Sequence, residues 1–364
     1  MKVIHKKTIK MEHNRTLDKL NVLVTGCFAP GTSGTVLGLK KMGIGDLKIY
    51  GIDSKLVSRF IPDFHQLYEV SISEPQYIID VLEIVEKHKI DVILPQTNSE
   101  TITLSRYQNK FLGACKIALA GDYESVKKAN DKYEVLKTAF DLNIPTSNYM
   151  SFVDKKNADD LLKNYYNNSN TFYIKAKNDS GGRGIIKVVP DSELIDKLMG
   201  KPESIHVINY SFFKEFFLKN SRVLSDFFIM ENFEGNEYTV DVFKSATKFI
   251  AIPRRRVKIR SGVSMINILE KNIALINASK LLSESLNLKG LFGFQYIYKS
   301  DTDFTVLECN PRIQGTNYAS ILAGSNLIEY LVLDLMNHDF RTIDPVWNKT
   351  FMRTSGGILV DTSK

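Results

Sequence analysis

Apolar and polar positions change rhythm along the chain. From residue 21 to 122, short continuous apolar runs alternate with stretches whose apolar residues recur at helical spacing. "NVLVTG" (21–26), "DLKIYGID" (46–53) and "DVILPQ" (91–96) read as buried strands. "SGTVLGLKKMG" (33–43) and "EPQYIIDVLEIVEKHKI" (74–90) read as helices, the second through Ile78, Ile79, Leu82 and Val85. Such alternation predicts a parallel, doubly wound sheet. Residues 123–143 read as one helix, and the proline-broken "IPTSNYMSF" (144–152) as a linker. Beyond it the texture becomes antiparallel and hairpin-rich: "TFYIKAK", "GIIKVV", "FFIMENF", "EYTVDVF" and "KFIAIPRRRVKI". A helix is predicted over 270–287. The strands "GLFGFQYIY" and "DFTVLECN" flank a "KSDTD" turn, and a last helical region covers 318–337. No repeat of fixed period is present. The fold class expected is α/β, with a Rossmann-like parallel sheet first and an α+β domain after it.

Composition narrows the function classes. A chain of 364 residues has room for two or three domains. No run approaches the roughly 18 apolar residues of a membrane span, so no membrane partner is expected. The first twenty residues are basic, lack the apolar middle of a signal peptide and read as a tail. Three well-separated cysteines, Cys27, Cys115 and Cys309, suit a reducing cytoplasm and neither a disulfide framework nor a zinc site. The net charge of +7 is dispersed except at "RRRVKIR" (254–260). No aromatic RNA-binding signature accompanies that cluster, so nucleic acid is not an expected partner.

Two glycine-rich turns compete as the phosphate site. "TGCFAPGTSG" (25–34) follows a strand, but Thr32 stands where a Walker lysine belongs and Phe28 where a dinucleotide fingerprint needs its second glycine. Asp53, ending the next strand, is its one supporting feature as a ribose-binding acid. "DSGGRG" (179–184) joins two strands, with Lys175 just before it. Its backbone N–H groups could meet phosphate oxygens without side-chain obstruction. Downstream, "VLECNPR" (306–312) puts Glu308 and Asn310 two residues apart on a strand, hence on one face. Gln295 lies on the strand expected to pair with it. A carboxylate and two amide oxygens on one face suit Mg²⁺ shared with phosphate oxygens.

Taken together, Lys132 in "ANDKYEVLK", Lys175 in "YIKAK", "SGGRG", "MENFEGNEYTVD", Gln295 and "LECNPRIQGT" resemble the ATP-grasp superfamily. The likeness is to the branch of the carbamoyl-phosphate synthase large chain and biotin carboxylase, over roughly residues 21–337. The resemblance implies a tail (1–20), a Rossmann-like leading domain (21–122), an ATP-grasp domain (123–340) with a mobile lid (about 145–230), and a C-terminal segment (341–364). It implies ATP and Mg²⁺, or Mn²⁺ in its place. Lys132 and Lys175 would contact phosphates, and Ser180, Gly181, Gly182, Arg183 and Gly184 would close over them. Glu231, Asn232 and Phe233 would form the adenine hinge, and Glu237 would hold the ribose. Gln295, Glu308 and Asn310 would hold the metal, and Arg312 would stabilise the transferring phosphoryl group. The first glycine turn then becomes a substrate-side turn. A single grasp unit, with no biotin-acceptor "MKM" signature and no glutaminase Cys/His pair, argues against stand-alone carbamoyl-phosphate synthesis or biotin carboxylation.

The implied activity is ADP-forming coupling of a small-molecule carboxylate to an amine through an acyl-phosphate, in a cytoplasmic enzyme with a homodimer as default. Arginine alternation predicts that Arg254, Arg256, Lys258 and Arg260 share one face as substrate ligands, with Arg255 opposite. Three other readings stand beside it. They are a phosphotransferase that stops at the phosphorylated product, an NAD-dependent oxidoreductase using the first turn and Asp53, and a non-catalytic nucleotide-binding partner.

Overall fold

A computed structural model describes residues 17–56, 63–151, 171–178, 184–194, 205–217, 225–260 and 262–354. Three sheets organise them. The first contains β1 (Lys19–Thr25), β2 (Asp46–Asp53), β3 (Gln66–Glu69), β4 (Val92–Leu94) and β5 (Lys116–Ile117), all parallel, in the order β3-β2-β1-β4-β5. Alternate side chains of β1 serve opposite faces. Val22 and Val24 pack with Val36 and Leu39 of α1 (Thr32–Lys40), whereas Leu23 packs with Ile78, Val81 and Val85 of α2 (Glu74–His88). The doubly wound sheet expected from the strand–helix alternation is therefore present.

The second sheet has the order β6-β10-β7-β8-β9, from β6 (Tyr149–Ser151), β7 (Phe172–Ala176), β8 (Ile185–Val189), β9 (His206–Asn209) and β10 (Phe227–Glu231). The third is the largest: β11 (Asn236–Lys244), β12 (Phe249–Arg260), β13 (Val263–Leu269), β14 (Gly290–Ser300), β15 (Asp303–Asn310) and β16 (Thr350–Met352), in the order β15-β14-β11-β12-β13-β16. Its neighbours are all antiparallel.

The segment 123–143 is two helices, α4 (Tyr123–Asn130) and α5 (Lys132–Asp141), where one was expected. Asp131 causes the break. It leaves the helical region at φ −83°, ψ 110°, and its carboxylate accepts the N–H groups of Tyr133 (2.9 Å) and Glu134 (3.2 Å), starting a new helix. The last helical region is also split, into α7 (Asn317–Leu322) and α8 (Leu327–Leu335), after α6 (Ile273–Ser285). A short helix, α3 (Asn98–Arg106), follows β4. Its few apolar residues hid it from periodicity, although Thr97 caps its start, with the Glu100 N–H donating to Thr97 Oγ1 at 3.3 Å.

One core joins the first and third sheets. Leu20, Val22, Val36 and Leu39 share a buried cluster with Phe243, Ile252, Leu291, Ile328 and Leu331. The opposite face of the third sheet packs on α5 and α6 through Val240, Phe292, Phe294 and Tyr296.

Candidate active site

The β14–β15 ladder assembles the expected metal-ligand set. Gln295 and Glu308 are direct cross-strand partners. Asn310 donates from Nδ2 to Glu308 Oε1 at 2.9 Å, which leaves its own amide oxygen to look elsewhere. One carboxylate and two amides offer oxygen alone and a single negative charge. That fits a small hard cation that takes its remaining ligands from phosphates and water, such as Mg²⁺ or Mn²⁺. Among the described residues no group of three His, Cys, Asp or Glu side chains comes together as a metal cage.

Two lysines face this set. The split at Asp131 puts Lys132 on the first turn of α5, with its backbone N–H on the Lys177 carbonyl (2.9 Å) and its ammonium 3.6 Å from Glu308 Oε2. Lys175 extends from β7, and its Nζ lies 3.1 Å from Met230 Sδ on β10. Burial pushes the Lys175 ammonium down to about 8. Lys132 adds to that shift, while Glu308 and Glu237 oppose it. Ser180, Gly181, Gly182 and Arg183 lie outside the described residues. Gly184 stands at φ +66° ahead of β8, and its carbonyl accepts the Ala176 N–H at 2.8 Å.

Two cavities meet at the face carrying Gln295 and Glu308. One, of about 350 Å³, is lined by Lys132, Lys175, Met230, Glu231, Phe233 and Glu237. The Glu231 N–H and carboxylate are both engaged with Asn148, at 2.9 and 2.7 Å. Asn232 does not line this cavity. The other, of about 610 Å³, runs from Ala29–Gly31 and Gln96–Ser99, in the segments that follow β1 and β4, to Asn130, Arg312 and Gln314. Arg256, Gly262, Gln295 and Glu308 line both. The first glycine turn thus borders the larger cavity. Its Gly31 packs so tightly that a Cβ there would lie 2.8 Å from Gly315 Cα. Asp53, the proposed ribose acid of an oxidoreductase, is occupied by its own turn, accepting from the Phe28 N–H (3.2 Å) and Ser54 N–H (2.8 Å).

The arginine run divides differently from expectation. Arg254 is fully enclosed. It donates to Asp241 Oδ1 at 2.8 Å, and Asp241 Oδ2 accepts from Ser320 on α7 at 3.2 Å. Both are removed from solvent, so Arg254 is a buried ion-pair member and not a substrate ligand. Burial lowers its guanidinium pKa, and Asp241 opposes that shift. Arg260 is exposed and lines neither cavity, because register shifts between Arg256 and Ile259 break the period-two alternation before it is reached. Arg255 does point to the opposite face, where it pairs with Glu270 at 2.8 Å. Arg256 alone of the run faces both cavities.

Arg312 lines the larger cavity. Its Nε donates to Asn98 Oδ1 at 2.6 Å and its Nη1 to the Ile313 carbonyl at 2.9 Å. Asn98 was not singled out in the sequence, where a lone asparagine at a helix start carries no chemical signal. Gln314, inside the quoted "LECNPRIQGT" but given no role there, also lines this cavity, with its Nε2 buried and unpartnered.

Comparison with known proteins finds likenesses in sequence and in fold. Residues 224–357 match the family model described as ATP-grasp in the biosynthetic pathway with Ter operon. The chain is 26% identical over 254 residues to the carbamoyl phosphate synthase large chain of Clostridium acetobutylicum, a match covering 67% of this chain and 22% of that relative. It is thus similar to about a fifth of that longer protein. Three solved structures share the fold. The N5-carboxyaminoimidazole synthetase of Staphylococcus aureus, complexed with ADP, has a TM-score of 0.68 at 14% identity, over 94% of this chain and 84% of that one. The biotin carboxylase domain dimer of Hydrogenobacter thermophilus 2-oxoglutarate carboxylase, in complex with MgADP, ADP and bicarbonate, has 0.68 at 13%, over 91% and 73%. The L-amino acid ligase of Bacillus licheniformis has 0.62 at 11%, over 87% and 74%. The chain thus shares its fold with these structures, and its residues 224–357 resemble an ATP-grasp domain. In sequence it is similar to part of a carbamoyl phosphate synthase large chain, and in fold to a biotin carboxylase domain.

Proposed function

We propose that this protein is an ATP- and Mg²⁺-dependent ligase of small-molecule biosynthesis. It activates a substrate carboxylate as an acyl-phosphate and couples it to an amine, releasing ADP and phosphate. The observation that carries the reading is the common wall of the two cavities. A nucleotide in the smaller cavity would present its γ-phosphate to Gln295, Glu308 and Asn310, and a carboxylate in the larger one would approach from the other side. Lys132, Lys175 and Arg312 would clamp the phosphoryl oxygens, with Glu237 on the ribose. The bound cation would neutralise charge developing on those oxygens. The protein offers positioning and charge at this wall, which is what phosphoryl transfer requires. The S. aureus synthetase and the B. licheniformis ligase, which share the fold, are named for reactions of this general type.

The test is release of ADP, AMP and phosphate from Mg-ATP against a panel of amino acids and other carboxylates, with and without amines. ADP formation that needs both partners and disappears in Glu308→Gln establishes the ligase. ADP formation without amine, with a stable phosphorylated product, establishes a kinase instead and overturns the coupling step.

A further inference from the structure

Arg256 occupies an unusual position. It springs from β12, and its side chain is only 5% exposed at the boundary of the two cavities. Nη1 donates to Glu237 Oε1 and to Gln295 Oε1 (3.1 Å), and Nη2 donates to the Gly262 carbonyl (2.7 Å) in the β12–β13 turn. Nε is buried with no partner. Its two side-chain acceptors are the residues proposed above for the ribose and the metal. A carboxylate pledged to ribose hydroxyls and an amide oxygen pledged to a cation have fewer lone pairs for a guanidinium. A cation beside Gln295 also repels it.

We infer that Arg256 couples the two cavities. Binding of Mg-nucleotide withdraws Glu237 and Gln295 from it and releases its fork to an oxyanion in the larger cavity. This rests on the nucleotide reading given above. The chemistry of the boundary favours an oxyanion as the recipient. The freed Nη1 and the unpartnered Nε are both donors, and Glu308 is the one acidic side chain among the described residues lining that cavity. The turn carbonyl of Gly262 stays on Nη2 and keeps the guanidinium at the boundary. Coupling of this kind is reciprocal: whatever factor nucleotide adds to oxyanion affinity, the oxyanion adds to nucleotide affinity.

The experiment titrates inorganic phosphate, as the oxyanion probe, by calorimetry into the full chain alone and with saturating Mg-ADP. Wild type, Arg256→Ala and Arg256→Lys are compared. In wild type, Mg-ADP raises phosphate affinity about 5- to 100-fold. Arg256→Ala binds Mg-ADP at least as tightly as wild type yet shows no such rise. Arg256→Lys, which keeps the charge without the fork, shows part of it and serves as the test variant if the alanine form does not fold. An equal rise in wild type and Arg256→Ala overturns the inference, as does weaker Mg-ADP binding by the alanine variant, which would make Arg256 an ordinary nucleotide ligand. Mg-ADP bound normally with no coupling in wild type removes this inference alone. Failure of Mg-ADP to bind wild type removes the nucleotide reading and this inference with it.

Discussion

The Lys132 ammonium and the Glu308 carboxylate stand 3.6 Å apart in the wall of the smaller cavity, joining the start of a helix to the end of a strand 176 positions later. The lysine is almost entirely enclosed and the glutamate largely so, with side chains 6% and 18% exposed. Glu308 therefore does two things. It supplies the only carboxylate of the proposed metal set, and it compensates Lys132 and Lys175.

Replacing it should separate those roles. Glu308→Gln keeps the shape and the Asn310 hydrogen bond but removes the charge. We expect a folded protein whose Mg-dependent ADP formation falls by about 10²-fold or more, the scale of a lost electrostatic contact to a transition state. A variant with unchanged turnover at saturating Mg²⁺ would remove Glu308 from the metal set. Circular dichroism checks the fold and steady-state assay the rate.

Lys175 predicts a pH signature. Its folded pKa, about 8, lies below the ordinary 10.5 because burial disfavours the charged form. Between about pH 8 and 10.5 the unfolded chain therefore binds more protons than the folded one. Stability contributed by this group rises with pH across that window and is level below it. Phosphates bound beside Lys175 favour its charged form, so nucleotide binding near pH 8 should take up protons, and affinity should fall as pH rises past 8. Calorimetry of Mg-ADP binding in buffers of different ionisation enthalpy reads the uptake directly. Lys175→Arg should abolish it, since arginine stays charged throughout.

Glu100 gives a signature of the opposite sense. Burial raises its carboxyl to about 6 from 4.5, against hydrogen bonds that include one from Thr97 Oγ1 (2.7 Å). The folded state then binds more protons than the unfolded state between those values. Stability is lost as pH rises from about 4.5 to 6 and stays lost above. Glu100→Gln should stabilise the protein at pH 7 by about 1–2 kcal/mol and have little effect at pH 4. Denaturant melts at the two pH values test this, and equal effects at both would refute it.

Arg254 should matter for stability. Arg254→Ala strands the Asp241 carboxylate in a dry interior and is expected to cost about 3–5 kcal/mol. Arg254→Met with Asp241→Leu removes both charges and should recover most of the loss. Chemical denaturation reads both. Mg-ADP affinity in whatever fraction stays folded should match wild type.

Much of the candidate site was legible because its proposed ligands lie on strands. A two-residue period placed Glu308 and Asn310 on one face, and strand order set Gln295 on the neighbouring strand, where the ladder pairs it with Glu308. The same rule overreached at the arginines. It ranks side chains by face but is blind to depth along the strand, so it grouped enclosed Arg254 with exposed Arg260, and the register shifts after Arg256 ended its validity. The break at Asp131 was legible in principle, since an aspartate followed three residues later by Glu134 is a helix-start signal, but the apolar periodicity on either side masked it. Contacts between distant segments had no local signature at all.

The bond from Arg312 to Asn98 is one of these, spanning 214 positions. Asn98 in turn donates to Asn130 Oδ1 at 2.7 Å, so a single amide joins the leading sheet's helix, the helix before Lys132 and Arg312. The leading domain is thereby not a detachable specificity module. Anyone grafting a foreign one onto the rest of the chain would also be replacing the bracket that holds Arg312. Such chimaeras should succeed or fail first on whether an acceptor is restored at that one position.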